Sequence, residues 1–182
     1  MVVLALVLVL DFELVLVLRP EPSGSSRHDR LSGLILFICI FAGLSLSGRL
    51  ASVRVLQLPG HHIWYLWIGL AAMWSGIALR VWSVISLGRF FTPAVIIQSD
   101  HRVITAGPYR YLRHPSYSGA MLALLGYGLT PARALSLIAL AACLAVGFGY
   151  RIWVEEAQLT TAMGDAYRDY ARQTQRLVPF LF

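Results

Sequence analysis

Apolar residues along the chain come in long runs, and short polar or basic stretches separate one run from the next. Four runs have, or approach, the length of a membrane-spanning helix, and they cover residues 31–46, 63–87, 117–129 and 134–150. A Thr-Pro-Ala-Arg connection separates the last two runs, so the helices that they form must be antiparallel neighbours. The pattern predicts a bundle of membrane helices that includes a tight helical hairpin.

The amino-terminal run, residues 2–18, is almost wholly aliphatic but holds Asp11 and Glu13 near its middle. An acid at the centre of an inserted helix costs about 2.5–3.5 kcal/mol, and each aliphatic residue returns roughly 0.3–0.6 kcal/mol, so the insertion energy is near balance. The run is either a first span or an interfacial helix, and we favour the span because Arg19-Pro20 ends it cleanly. It lacks the basic start and small-residue cleavage site of a signal peptide.

The composition excludes an ordinary soluble domain. Of the 182 residues, 58% are hydrophobic and 13% are charged, and the mean hydropathy is +0.68. So few charges could not cover the apolar surface of a soluble domain of this size. We therefore predict an all-α, polytopic membrane helix bundle of about five transmembrane helices. It forms a single domain over residues 1–182, with amino-terminal spans in 1–87 and the half expected to carry the chemistry in 88–182.

The arginines give this bundle an orientation. If Arg19 lies in the cytoplasm, most arginines fall in cytoplasmic segments, and the outer loops hold only Arg49, Arg54 and Arg133. The positive-inside rule expects this asymmetry. Arg80 remains within the span of residues 63–87, about two turns from its cytoplasmic end, and its side chain can snorkel to the surface. Because the arginines lie between apolar runs and not on one basic face, we expect membrane lipid and no nucleic acid as a partner.

Residues with metal-binding side chains are scattered along the chain. Cys39 and Cys143 each lie inside an apolar run without metal-like spacing, and we expect them to be small buried hydrophobic residues. His61 and His62 are adjacent, so they cannot share one helix face as paired ligands, and we interpret them as loop residues. The sequence therefore predicts no metal site.

Polar residues gather in two stretches that the predicted topology places on the cytoplasmic side. The first is the connection of residues 88–118, which is too long for a simple turn and too rich in Phe, Val, Ile and Tyr for a disordered segment. The second is residues 150–170, a helix that emerges from the last span. Arg151 and Glu155 are four residues apart in it and share one face. These two stretches form the candidate site.

Three strings in these stretches carry a resemblance to a known family. They read GPYRYLRHPSYSG, RIWVEEAQL and GDAYRDYARQTQRLVPF, and in order and spacing they resemble the isoprenylcysteine carboxyl methyltransferase family. That family belongs to a wider group of small membrane methyltransferases that includes phospholipid N-methyltransferases. The resemblance covers roughly residues 89–179. It implies an S-adenosylmethionine pocket on the cytoplasmic side, walled by the long connection and the carboxyl-terminal helix.

The resemblance also implies roles for individual residues. Arg151 resembles the arginine that meets the substrate, and Glu155 resembles a glutamate that binds the cofactor. The remaining cofactor contacts are implied for a strand-like stretch, a tyrosine turn and the family's His-Pro-x-Tyr sequence, which here are His101, Arg102, Val103, Ile104, Tyr109, His114, Pro115, Ser116 and Tyr117. One polar residue that the family has upstream falls near Ala94 or Val95 here, so that contact is not carried over.

The residue types suit this chemistry on physical grounds. S-adenosylmethionine is a sulfonium cation with an adenine ring and a zwitterionic tail, so its site needs aromatic faces, a carboxylate and hydrogen-bond donors. No Gly-x-Gly-x-x-Gly sequence is present, which excludes a soluble Rossmann-type methyltransferase. A carboxylate acceptor is already ionised at neutral pH and needs no general base. A guanidinium such as that of Arg151 can hold it through two parallel hydrogen bonds.

Each candidate also has a purely structural interpretation. Arg110 and Arg113 can be simple cytoplasmic anchors, and His114 before a proline can be an interfacial turn residue. Arg151 and Glu155 can be an ordinary i,i+4 ion pair on a helix. We expect Tyr167 and Tyr170 to dock the terminal helix.

The leading functional hypothesis is methyl transfer from S-adenosylmethionine to a lipophilic acceptor that enters from the bilayer, such as a prenylated cysteine carboxylate or a similar lipid-like acid. Three alternatives remain open at this point: N-methylation of an amine lipid, an NADPH-dependent membrane reductase, and a membrane component without catalytic activity. Amine methylation would require a base, for which His114, Glu155 and Glu156 are at hand. The oligomeric state is left undetermined.

Overall fold

The computed structural model describes residues 27–53, 56–88 and 105–178. These ranges contain five α-helices and, before the third, a 3₁₀ turn at Gly107–Arg110. The helices are α1 (Arg27–Ala51), α2 (His62–Leu87), α3 (Pro115–Leu129), α4 (Ala134–Met163) and α5 (Asp165–Gln173). The described ranges hold no strand beyond isolated bridges. The all-α prediction is confirmed.

Three helices are long and apolar enough to cross a bilayer, at Leu31–Ala51, His62–Leu87 and Ala134–Met163. Helix α3, which the pattern predicts as a further span, has 15 residues. Its length of about 22 Å is less than the hydrocarbon thickness of about 30 Å. The doubtful run of residues 2–18 lies outside the described residues. The count of three therefore applies to the described part of the chain.

Helices α2 and α3 pack through pairs of glycines. Gly69 faces Gly126 and Gly76 faces Gly119, and an added Cβ at Gly76 would lie 2.4 Å from the Gly119 carbonyl oxygen. In each helix the two glycines are seven residues apart, so they lie on one stripe that faces the neighbouring helix. Without side chains the two backbones approach closely, as small residues permit in membrane bundles.

Helices α1 and α4 form a second antiparallel pair. Gly43 lies against Cys143 and Gly147 lies against Cys39, and both cysteines are partly buried free thiols, in keeping with their interpretation as packing residues. Buried side chains of α1, α3 and α4 form the core cluster, namely Leu36, Ile40, Ala120, Ala123, Leu124, Leu140, Leu144 and Phe148. Helix α3 thereby connects the two pairs.

The loops at one end of the bundle are tied to each other. Leu58 donates its backbone N–H to the Ala132 carbonyl at 3.0 Å, and Ala134 donates to the Leu56 carbonyl at 3.0 Å. These bonds bring the α1–α2 connection onto the tight turn of the α3–α4 hairpin, whose antiparallel geometry the sequence predicts correctly. Residues 105–114, which precede α3, and the carboxyl-terminal end of α4 consequently lie at the opposite end.

Arg80 does not snorkel, so the expectation for this residue is wrong. Its side chain is only 5% exposed, and its Nη1 donates to the Ser116 carbonyl at 3.1 Å. Gly119 permits this arrangement, since a Cβ there would lie 2.8 Å from the Arg80 backbone nitrogen. An ionisable residue within a span is stabilised by facing the bundle interior and pairing with a backbone carbonyl, and Arg80 meets both conditions.

Candidate active site

The phenolic oxygen of Tyr117 is the point at which three of the predicted residues meet. It donates a hydrogen bond to Glu155 Oε2 at 2.6 Å and accepts one from Arg151 Nε at 3.3 Å. Tyr117 lies in the first turn of α3, and the two charged residues lie one turn apart on α4. The α3–α4 hairpin thus places the phenol of Tyr117 between the guanidinium of Arg151 and the carboxylate of Glu155, and the three side chains form a triad.

Arg151 has a second anchor on α1. Its Nη1 donates to Ser32 Oγ at 2.6 Å, and both side chains are buried. The guanidinium is therefore held from two helices that are far apart in sequence. The sequence reasoning missed Ser32, although it lies in phase with the buried residues Leu36 and Ile40 of the same helix.

His114 and Pro115 begin helix α3 beside this triad. Proline is well suited to the first helical position because its missing N–H would have no partner there. The His114 ring stacks on that of Tyr117, with centroids 5.5 Å apart and planes 9° from parallel. Its Nε2 is buried and, within the described part of the chain, makes no well-aligned hydrogen bond, although Glu156 Oε1 lies 3.4 Å away. Ser116 contributes the carbonyl that accepts from Arg80.

Glu156 is the centre of a second charged cluster. Its Oε1 accepts from Arg113 Nε at 2.9 Å, and its Oε2 accepts from Arg176 Nε at 3.1 Å. Arg113 also donates through Nη1 to the carbonyls of Ala171, at 2.7 Å, and Thr174. Arg113 is therefore a structural cross-link and not a free membrane anchor.

Residues 174–178, here named the C-terminal strap, lie along the backbone of the His-Pro-Ser-Tyr turn. Arg113 donates its backbone N–H to the Gln175 carbonyl at 2.7 Å, and His114 donates to that of Arg176 at 3.1 Å. Ser118 Oγ donates to the Leu177 carbonyl at 2.5 Å. The strap and the Glu156 cluster together fix the position of the turn.

Tyrosines complete the wall of the site. Tyr170 of α5 donates its hydroxyl to the Tyr109 carbonyl at 2.8 Å, and Tyr167 is buried beside it, so both residues dock α5 as expected. Burial raises the pKa of Tyr170 to about 12 and also raises the pKa of Tyr109 and of Tyr167. At neutral pH these phenols therefore remain protonated.

The triad does not account for every predicted site residue. The strand-like stretch of His101, Arg102, Val103 and Ile104 lies outside the described residues. Arg110 is exposed at the surface, 5.9 Å from the centre of the Tyr111 ring. Within residues 27–53, 56–88 and 105–178, no group of three potential metal ligands occurs.

Replacing Arg113 with alanine should lower the free energy of unfolding by about 3 kcal/mol, because the mostly buried Glu156 carboxylate loses one of its two guanidinium partners and the carbonyls of Ala171 and Thr174 lose their donor. Thermal unfolding in detergent measures this loss. Arg172→Ala is the control, since Arg172 forms an exposed ion pair with Asp169 and its removal should leave the melting temperature unchanged. Equal melting temperatures for the two variants would contradict a structural role for Arg113.

The bundle and the polar cluster at its end define a small integral membrane protein with a partly buried Arg–Tyr–Glu site. The model of the isoprenylcysteine carboxyl methyltransferase family matches residues 67–161, which include all three residues of the triad. The chain belongs to this family.

Two curated relatives illustrate the similarity. Protein-S-isoprenylcysteine O-methyltransferase B of Arabidopsis thaliana is 34% identical over 132 residues, which are 70% of this chain and 67% of the relative. The probable protein-S-isoprenylcysteine O-methyltransferase of Oryza sativa subsp. indica is 33% identical over 121 residues, 65% of this chain and 63% of the relative. The matches therefore span about two thirds of these proteins.

A solved structure supports the fold. The eukaryotic intramembrane Ras methyltransferase ICMT superimposes with a TM-score of 0.59 at 24% identity, covering 96% of this chain and 73% of that one. These comparisons favour O-methylation, and they lend no support to an amine N-methyltransferase, a reductase or a non-catalytic membrane component.

Proposed function

We propose that this protein transfers the methyl group of S-adenosylmethionine to the carboxylate of a prenylated cysteine or a similar lipid-like acid. Its membership of the family makes it a membrane methyltransferase. The observation that carries the residue-level proposal is the meeting of Arg151 and Glu155 at the Tyr117 hydroxyl. One cationic and one anionic group then serve two substrates of opposite charge within a single, partly buried site.

Arg151 is proposed to bind the acceptor carboxylate. A planar guanidinium offers paired N–H donors that match the two oxygens of a carboxylate. The side chain is only 6% exposed, and in such a poorly solvated position its interaction with an anion is stronger than in water. Arg151 is thus suited to hold a charged headgroup at the end of the apolar bundle.

Glu155, His114 and the tyrosines are proposed to hold the cofactor. When bound, S-adenosylmethionine would supply a methyl group on a sulfonium sulfur, and this sulfur is a good leaving group because it departs as a neutral thioether. The residues present fit this cation, because the Glu155 carboxylate lies beside the stacked rings of His114 and Tyr117, and aromatic faces attract cations. The buried His114 Nε2, without a well-aligned partner in the described ranges, adds a polar contact. Pro115, Ser116, Tyr109 and residues 101–104 are proposed to complete the contacts.

The side chains of the site act by orientation and not by proton transfer. A carboxylate acceptor is ionised at neutral pH, so none of them has to accept a proton from it. In-line displacement requires that the attacking oxygen and the methyl carbon be held in one line, and such positioning accounts for a large part of a catalytic rate. Arg151 and Glu155 are anchored to one helix, so their separation is fixed.

The site is proposed to face the cytoplasm and to receive its acceptor sideways from the bilayer. Among the described residues, the end that carries the triad also carries Arg110, Arg113, Arg168, Arg172 and Arg176, whereas the other end carries Arg49 and Arg133. The positive-inside rule places the more basic end in the cytoplasm. The lipid chain of the acceptor would then remain among the helices.

The activity is tested with the purified protein in lipid nanodiscs, given methyl-labelled S-adenosylmethionine and a farnesylated cysteine derivative. We expect a labelled methyl ester that releases its label in base. Phosphatidylethanolamine is the comparison acceptor, and base-stable label on it would favour N-methylation. No label on either acceptor, together with no cofactor binding by calorimetry, would refute the proposed function.

Replacing Glu155 with glutamine should weaken cofactor binding by about 10- to 100-fold, as expected for loss of a charged hydrogen-bonding partner. The KM for the acceptor should change little. Calorimetry with S-adenosylhomocysteine, together with the KM for each substrate, separates the two effects. Asp165→Asn is the matched control, because Asp165 is an exposed carboxylate paired with Arg168. A Glu155→Gln variant that binds cofactor like the control would contradict this role.

A further inference from the structure

Helix α1 contributes one polar side chain to the triad. Ser32 Oγ lies 2.6 Å from Arg151 Nη1, and the Ser32 side chain is 0% exposed. The two residues are 119 positions apart, and Ser32 lies outside the segment matched by the family model, residues 67–161. The residue is therefore not part of the motif region that carries the resemblance.

We propose that Ser32 is a positioning residue that orients the Arg151 guanidinium toward the acceptor carboxylate; this inference rests on the proposed function. The arginine side chain rotates about several bonds, and its hydrogen bond to Tyr117 ties the head group to α3. The bond to Ser32 adds a contact from α1, which further restricts the plane of the guanidinium. Because bidentate recognition depends on the orientation of that plane, the serine hydroxyl controls how well the acceptor is held.

The arrangement forms a continuous polar chain across three helices. It runs from Ser32 on α1 to Arg151 on α4, from there to the hydroxyl of Tyr117 on α3, and ends at Glu155. Ser32 lies at the arginine end of this chain of hydrogen bonds. Glu155, the carboxylate proposed to bind the cofactor, lies at the other end. Loss of the serine hydroxyl should therefore affect the acceptor and not the cofactor.

A second buried serine on α1 provides a matched control. Ser47 Oγ lies 2.7 Å from Ser136 Oγ of α4, and Ser47 is 2% exposed. This pair joins the same two helices as the Ser32–Arg151 contact but belongs to the opposite end of the bundle. Ser47→Ala thus weakens the α1–α4 contact without touching Arg151.

The test compares Ser32→Ala, Ser32→Cys and Ser47→Ala in the methyl ester assay. Ser32→Ala should lower kcat/KM for the farnesylcysteine acceptor about tenfold, which corresponds to one lost hydrogen bond to a charged group, with unchanged affinity for S-adenosylhomocysteine. Ser32→Cys fills the same space with a weak acceptor, and it should show the same defect. Ser47→Ala should keep wild-type kinetics.

Several results would overturn the inference. Wild-type acceptor kinetics in either Ser32 variant would show that the hydroxyl does not position Arg151, and if Ser32→Ala fails to fold, Ser32→Cys alone decides this. Equal losses of acceptor and cofactor affinity, or the same defect in Ser47→Ala, would reveal a general effect of helix packing. Failure of the wild-type protein to form any ester would instead refute the proposed function, and the inference would fall with it.

Discussion

Replacing Arg151 with alanine should reduce kcat/KM for the prenylcysteine acceptor by about 100- to 1000-fold. The guanidinium is buried and held by Ser32 and Tyr117, so its removal takes away a preorganised partner of the acceptor carboxylate. Truncation of one member of a buried charged pair costs about 2–5 kcal/mol, and each 1.4 kcal/mol is about a factor of ten. Initial rates at varied acceptor concentration and saturating cofactor measure the loss.

Two further variants sharpen this result. Arg151→Lys should recover little activity, since an ammonium cannot offer the planar pair of donors. Arg110→Ala removes an equally charged but exposed residue of the same region and should leave kcat/KM unchanged. An Arg151→Ala variant as active as Arg110→Ala would leave Arg151 with only the role of an ordinary helix ion pair.

Replacing Gly76 with alanine should lower the stability of the bundle by about 3 kcal/mol, at the upper end of the usual cost of overpacking. The new Cβ would lie 2.4 Å from the Gly119 carbonyl oxygen and 2.5 Å from the Ala123 backbone nitrogen. Backbone atoms cannot move aside as the end of a flexible side chain can, so α2 and α3 must separate. Thermal unfolding in detergent and the yield of monodisperse protein should both fall.

Gly149→Ala is the matched control for this variant. It introduces the same methyl group into helix α4, where nothing lies within 4 Å of the added Cβ. Alanine favours a helix more than glycine does, so the control should melt at the wild-type temperature or slightly above it. If Gly76→Ala melts together with Gly149→Ala, the two helices do not pack through the glycine pairs.

The helices and the hairpin could be predicted because hydrophobicity is a local property of the sequence. The apolar runs locate α1, α2 and α4, and the short connection between Leu129 and Ala134 fixes the hairpin. The packing partners depend on contacts that no local pattern records. Arg80 shows the difference, because its burial follows from the close approach of α3 at Gly119 and not from its distance to the end of α2.

The candidate site could be predicted in part. The strings around His114 and Arg151 are local motifs. The spacing of four residues places Arg151 and Glu155 on one face, whereas the resemblance alone implies that Tyr117 belongs to the same site, and the structure brings the three together. Ser32 lies in another apolar run, where a lone serine is an unremarkable residue. Its contact with Arg151 forms only when α1 packs against α4.

The Glu156 cluster was also missed, for a different reason. From the sequence, Glu156 is interpreted only as a possible base for amine methylation. In the structure it is paired with Arg113 and Arg176. Arg176 comes from the C-terminal strap, and nothing local indicates that this segment returns to the turn. The roles of residues 101–104 and the division of the chain at residue 88 stay predictions.

If Arg151 binds the acceptor and Glu155 binds the cofactor, steady-state methyl transfer with both substrate concentrations varied should separate the two roles. In Arg151→Ala the kcat/KM for the farnesylcysteine acceptor should fall sharply while cofactor affinity stays near wild type, and Glu155→Gln should show the opposite selectivity. If both variants impair the two substrates to the same extent, the two side chains do not bind separate substrates and the account is wrong.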